Sequence, residues 1–209
     1  MRVNTGVAGL VAAACAGVLL TASPTTAAPR ATTGPHCVAQ AATGETTCYD
    51  TFRESIAAAT GGRITDAPAT PQEAAADKKF LDKMNVRLKS TDDASASNRT
   101  NPIGPKPFHG AILYEHSHQG GRSLTLRTAD TEACMNDGRW DGQGGRLADH
   151  GFNDLTSSVF VSRDCLLELY ASNNFRGIRN LYDTTEWIGE AMNDQASSYR
   201  LKARGEVIH

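Results

Sequence analysis

Long apolar runs are scarce in this chain. Beyond Val7–Leu20 no stretch is apolar enough to cross a bilayer, and that one is too short for a comfortable span. Basic clusters are missing too. With a net charge of -2 and no Lys/Arg stripe, nucleic acid is not an expected partner. No two cysteines stand at Cys-x-x-Cys spacing, which argues against a four-thiolate zinc site. Nor is there a Gly-x-Ser-x-Gly elbow, a His-Glu-x-x-His pair or a phosphate loop. Acidic pairs occur, but nothing singles out a catalytic one, so the chain does not read as an enzyme. His116 and His118, two apart at a predicted strand end, would face one way, but no third zinc ligand accompanies them.

What is present begins with a leader. Arg2, the apolar run and the small residues up to Thr26-Ala27-Ala28 have the form of a secretory signal peptide over residues 1–28. The expected location is therefore extracellular, with no membrane attachment after cleavage. Four cysteines follow the leader: Cys37, Cys48, Cys134 and Cys165. An even count in an exported chain argues for two disulfides. Proximity favours Cys37–Cys48 and Cys134–Cys165, although two other pairings are formally possible. Loops this short stabilise by about 3 kcal/mol each on a chain-entropy argument.

Residues 29–89 read as a helical region with a disulfide loop. Phe52 and Ile56 lie four apart before Gly61-Gly62, which terminates a first helix. Thr70-Pro71-Gln72-Glu73 is a capping box with proline at the first helical position. Phe80, Leu81, Met84 and Leu88 continue a second helix at helical spacing. Residues 90–109, rich in Ser, Asp, Asn and Pro, read as a linker. The apolar stripe of the helices is packing surface: it docks on the following domain, forms a pro-segment or meets a partner.

Residues 110–203 contain one phrase written twice. Phe152-Asn153-Asp154-Leu155-Thr156-Ser157-Ser158-Val159 returns as Met192-Asn193-Asp194-Gln195-Ala196-Ser197-Ser198-Tyr199. Self-similarity of this kind points to a repeated structural unit. Each copy follows a hairpin signal. Tyr170, Phe175 and Gly177 fit an aromatic-x4-aromatic-x-Gly pattern, and Tyr114, Gln119 and Gly121 fit it with Gln at the second aromatic position. Glycine there suits a hairpin that folds over and needs a positive φ. Asn, Asp and Ser offer hard oxygen donors, the chemistry of calcium.

This combination resembles the βγ-crystallin superfamily, in particular its secreted microbial calcium-binding members. The resemblance covers less than half of the chain. It implies a mainly β fold in which two Greek-key motifs form one β-sandwich, here preceded by the helical, disulfide-containing region. It also implies that two adjacent loops exchange ligands and hold up to two Ca²⁺ ions. Carried onto this chain, the ligands are Asn153, Asp154, the Leu155 carbonyl and Ser157 from one loop. Asn193, Asp194, the Gln195 carbonyl and Ser197 come from the other. Carbonyls near Glu115 and Ala171 are further candidates. The bland reading of each phrase is an Asx turn before a strand, without metal.

The first repeat departs from the second in its long Gly-rich segment, 133–145, which carries Arg139 and Trp140. Trp140 either anchors a partner or caps the core, as Trp187 is expected to do. The expected role is structural or extracellular binding, by a monomer, with calcium ions and an extracellular protein or glycan as partners. The alternative is a secreted proteinase inhibitor, or a toxin-like protein, on the same fold. It would use the 133–145 loop, with Arg139 as a specificity residue.

Overall fold

The computed structural model describes residue 1 and residues 35–41, 43–85, 108–128, 134 and 137–207. The chain splits into two compact units, Met1–Arg30 and Ala31–His209. The expected signal peptide, most of the linker and several positions of the 133–145 loop lie outside the described residues.

The second unit is mainly β. Its first elements are β1 (His36–Gln40) and β2 (Thr46–Tyr49), an antiparallel hairpin in which Cys37 sits opposite Cys48 and is disulfide-bonded to it. A hairpin thus stands where the sequence reads as a loop. Three helices follow: α1 (Phe52–Ala59), α2 (Pro71–Ala76) and α3 (Lys78–Met84). The expected capping box of Thr70 with Glu73 is present, and Thr51 with Glu54 forms a second one at the start of α1. The expected long second helix breaks at Asp77. There the Asp77 carboxylate accepts from the amides of Lys79 (2.8 Å) and Phe80 (3.2 Å), capping a new helix rather than continuing the old one.

The two repeats supply the remaining strands. The first gives β3 (Gly110–His116), β4 (Gly120–Arg127), β5 (Gly142–Gly144) and β6 (Ser158–Val161). The second gives β7 (Cys165–Ser172), β8 (Arg176–Tyr182) and β9 (Ser198–Ala203). One sheet has the order β2-β1-β4-β3-β6 and the other β5-β9-β7-β8. The repeats trade material across the sandwich. β5 pairs with β9 of the second repeat, and Thr185 of the second repeat bridges to Val159 in β6. Cys134 is bonded to Cys165 at the start of β7, the second expected disulfide.

Strand alternation divides the apolar residues between two cores. Leu113, Leu124, Leu126 and Val159 of the first sheet meet Leu167, Leu169, Tyr199 and Leu201 of the second. On the opposite face of the first sheet, Val38, Ile112, Tyr114 and Phe160 pack with Phe52, Ile56, Ala74, Phe80 and Met84 of the helices. The N-terminal segment is joined to the repeats by a further link, because β1 runs parallel to β4 and bonds along it from His36 to Gln40. Residues 29–89 and 110–203, distinct regions in the sequence, therefore share a sheet and a core. The outer face of the second sheet has no such helical cover among the described residues.

Candidate metal site

The hairpins come first, because they supply backbone oxygens. β3 and β4 turn through His118 and Gln119, both left-handed (φ 56° and 55°), and Gly121 follows at φ 76°. β7 and β8 turn in the same way through Asn174 and Phe175 (56° and 61°), with Gly177 at 79°. A Cβ at Gly177 would stand 2.8 Å from the Ser172 hydroxyl, so the fold-over requires glycine. Phe175 then meets Tyr170 edge-on, with ring centroids 5.7 Å apart, as the aromatic spacing implies. In the first hairpin Gln119 instead donates its amide to the Thr185 carbonyl at 3.2 Å.

The repeated phrases lie side by side. The Asp154 amide donates to the Ala196 carbonyl, and the Asp194 amide donates to the Thr156 carbonyl, each at 3.0 Å. Each loop is also tied to its own hairpin. Ser157 N–H donates to Tyr114 O (2.9 Å) and Ser197 N–H to Tyr170 O (2.8 Å). The second serine of each phrase is a fastener, a role the sequence reading did not assign. Ser158 Oγ donates to His116 O (2.6 Å) and accepts from Gln119 N–H (3.0 Å). Ser198 Oγ does the same with Ser172 O (2.7 Å) and Phe175 N–H (3.0 Å).

With the loops locked, two oxygen clusters form, and each draws on both repeats. Ser157 Oγ lies 2.8 Å from the Glu115 carbonyl and 3.4 Å from Asp194 Oδ1. Ser197 Oγ lies 3.3 Å from the Ala171 carbonyl and 3.3 Å from Asp154 Oδ1. The other carboxylate oxygens are held by neighbouring amides: Asn153 Nδ2 donates to Asp154 Oδ2 (2.5 Å) and Asn193 Nδ2 to Asp194 Oδ2 (2.9 Å). Each Asp thus aims one oxygen at the other loop's serine. No hydrogen bond among the described residues ends on the carbonyl of Leu155 or Gln195. The serines are buried and the aspartates exposed, so each cluster is open to solvent on its acidic side.

Each cluster is all oxygen, with one carboxylate, a hydroxyl and a backbone carbonyl. That donor set fits a hard cation which takes several oxygens in irregular geometry, and does not fit a thiolate- or imidazole-seeking metal. Among the described residues no group of three or more His, Cys, Asp or Glu side chains is placed to hold a metal ion. His116 and His118 do not share a strand face as expected. His116 ends β3, whereas His118 occupies the turn at positive φ, where its Nε2 is 3.5 Å from Glu186 Oε2.

The Gly-rich segment is pinned where it is described. Glu206 Oε1 accepts from the amides of Gly138 and Arg139, and β5 holds the following residues to β9. Arg139 is exposed. Trp140 is half-buried, with the Arg200 guanidinium 4.8 Å from its ring centroid, and belongs to neither core. Trp187 does not cap the core as expected: it is 51% exposed on the surface after β8.

No protein-family model matches the sequence, and no curated protein does. Solved structures do match, βγ-crystallin domains among them. A double mutant of the domain from Clostridium beijerinckii is 26% identical, covering 44% of this chain and 96% of its own, with a TM-score of 0.36. The domain from Flavobacterium johnsoniae is 22% identical over 46% of this chain and 98% of its own, with a TM-score of 0.34. The N-terminal domain of Protein S is 22% identical over 47% of this chain and 99% of its own, with a TM-score of 0.37. The chain resembles βγ-crystallin domains over less than half of its length.

Proposed function

We propose that this is an extracellular calcium-binding protein whose two Greek-key repeats are clamped together by up to two Ca²⁺ ions. The reading is carried by the reciprocal reach of Asp194 to Ser157 and of Asp154 to Ser197. A lone Asx turn explains one such loop. It does not explain why each carboxylate is aimed at the other loop's hydroxyl while an amide holds its second oxygen. The Glu115 carbonyl, Leu155 carbonyl, Ser157 and Asp194 would hold one ion. The Ala171 carbonyl, Gln195 carbonyl, Ser197 and Asp154 would hold the other, with water completing each shell. Asn153 and Asn193 would orient the carboxylates. A bound ion supplies charge neutralisation and a bridge between the repeats.

With one carboxylate per cluster, Kd is expected on the order of 10⁻⁶ to 10⁻³ M. Isothermal calorimetry of the chelator-treated protein tests the reading. Heat of binding and a raised melting temperature support it, and the absence of both ends it. The role is structural or one of extracellular binding, and the two disulfides suit an oxidising compartment.

One observation favours a second reading, proteinase inhibition. Arg139 is exposed while its own amide and that of Gly138 are tied to Glu206, the combination of display and rigidity that an inhibitory loop needs. Titrating secreted serine and metalloproteinases with the protein, and with Arg139→Ala, decides it. Unchanged proteinase activity rejects this second role.

A further inference from the structure

The repeats differ at one place that the calcium reading does not use. In the second repeat the Tyr170 hydroxyl is satisfied. It donates to Glu168 Oε2 and accepts from Arg200 Nη1 at 3.4 Å. The register explains this: Glu168 faces Arg200 across β7 and β9, and Tyr170 faces Ser198 two residues on. The first repeat has the same ladder. Ile112 faces Phe160 and Tyr114 faces Ser158. Where the second repeat has a carboxylate and a guanidinium, the first has two hydrocarbons. Tyr114 is only 3% exposed, and its hydroxyl takes part in no hydrogen bond among the described residues. Burial pushes its ionisation well above the ordinary phenol range, so it stays a neutral donor and acceptor.

Tyr114 also lines a hollow. Helices α2 and α3 do not close on the sheet at this point and leave a cavity of about 330 Å³. Its walls are Ala75, Ala76, Phe80, Leu81 and Phe160. Polar residues line it too: Gln72, Thr184, the buried Gln119, whose amide is given to the Thr185 carbonyl, and His118 and Glu186, both highly exposed and 3.5 Å apart. The volume is at the small end of the range for small-molecule sites, which combine apolar walls with a few placed polar groups. Such walls disfavour a charged occupant, because the few polar groups among them would not replace its hydration. A phenol that lines such a hollow, its hydroxyl without a protein partner among the described residues, is placed to exchange a hydrogen bond with an occupant.

We propose that this cavity binds a small uncharged molecule, largely hydrocarbon and of up to three rings, that exchanges a single hydrogen bond with the Tyr114 hydroxyl. The site uses none of the proposed calcium ligands and is built by elements from both halves of the chain.

The experiment uses the full chain and N-phenyl-1-naphthylamine, a neutral dye that fluoresces on entering apolar sites, displaced by two probes of equal shape. One is 1-ethylnaphthalene and the other is 1-naphthylmethanol, which differ by a hydroxyl in place of a methyl group. Saturable dye binding and displacement by both probes are expected. Ala75→Trp, which fills the cavity, should abolish dye binding. Tyr114→Phe should weaken 1-naphthylmethanol about fivefold, as for one net hydrogen bond. It should leave 1-ethylnaphthalene unchanged and not lower the melting temperature. The proposal is overturned if the dye does not saturate, if Ala75→Trp folds and still binds it, or if Tyr114→Phe weakens both probes alike. A lower melting temperature in Tyr114→Phe also overturns it, because the hydroxyl would then be bonded within the fold.

Discussion

Asp154 and Asp194 stand in the left-handed region, at φ 53° and 52°, which residues other than Gly enter seldom and Asn and Asp more readily than most. The conformation costs on the order of 1 kcal/mol each, and it turns each carboxylate toward the opposite loop. Asparagine tolerates this backbone better and keeps the shape of the side chain, but it lacks the charge. Asp194→Asn should therefore leave the calcium-free protein as stable as before, within about 0.5 kcal/mol. Calcium titration should then show one site fewer, with the Ser197 cluster retained. Calorimetric stoichiometry of Asp194→Asn, Asp154→Asn and the double variant checks this. If the double variant binds two ions, the carboxylates are not ligands. Ser158 and Ser198 make the complementary case. Each bonds a hairpin carbonyl and a hairpin amide while buried. Ser198→Ala leaves Phe175 N–H and Ser172 O without that partner, and should cost about 1–3 kcal/mol in urea melts with or without calcium.

At the scale of elements, helix α2 depends on a cap visible in four residues. Thr70→Ala removes the acceptor for Glu73 N–H and half of the reciprocal box, and should cost about 1 kcal/mol in urea denaturation. Such local punctuation is readable in sequence because its physics lies within four residues. So are the aromatic-x4-aromatic-x-Gly hairpins, whose turn residues fall in the same φ region in both repeats. Other features depend on distant partners. Phe52 and Ile56 announce an apolar helix face, but not that its cover is the outer side of β3 and β6. The parallel pairing of β1 with β4 joins residues nearly ninety apart, and five residues with one Val and one Ala carry no sign of it. Asp77 looked like a solvated helical residue, yet its side chain outcompetes the helix for two amides. Trp187 reads as core by composition, but the turn that carries it points it outward. The paired loops were legible through their repetition. The unpaired Tyr114 was not, since its neighbours across the ladder are forty-odd residues away.

At the scale of the whole unit, three histidines stitch separate parts together. His36 Nδ1 meets Ser123 Oγ at 2.9 Å, joining β1 to β4. His150 Nδ1 meets Thr46 Oγ1 at 2.6 Å, joining the N-terminal hairpin to the turn before the first repeated loop. His109 precedes β3, and its carbonyl accepts from Thr128. Burial lowers the pKa of all three, outweighing the opposing pull of Asp164 on His109 and of Asp149 on His150. The unfolded chain then binds protons more readily than the folded one just below the ordinary value of about 6.5. Stability contributed by keeping these rings neutral is complete above that pH and is lost as pH falls through the interval down to the folded values. The carboxylates follow later. Arg204 holds Asp183 below the usual range, so its contribution fades only as pH drops under about 4. Chelated protein should accordingly be less stable in urea at pH 5.5 than at pH 7.5, and His150→Gln should flatten part of that slope. If the urea midpoint is the same at both pH values, the three rings do not resist protonation in the fold.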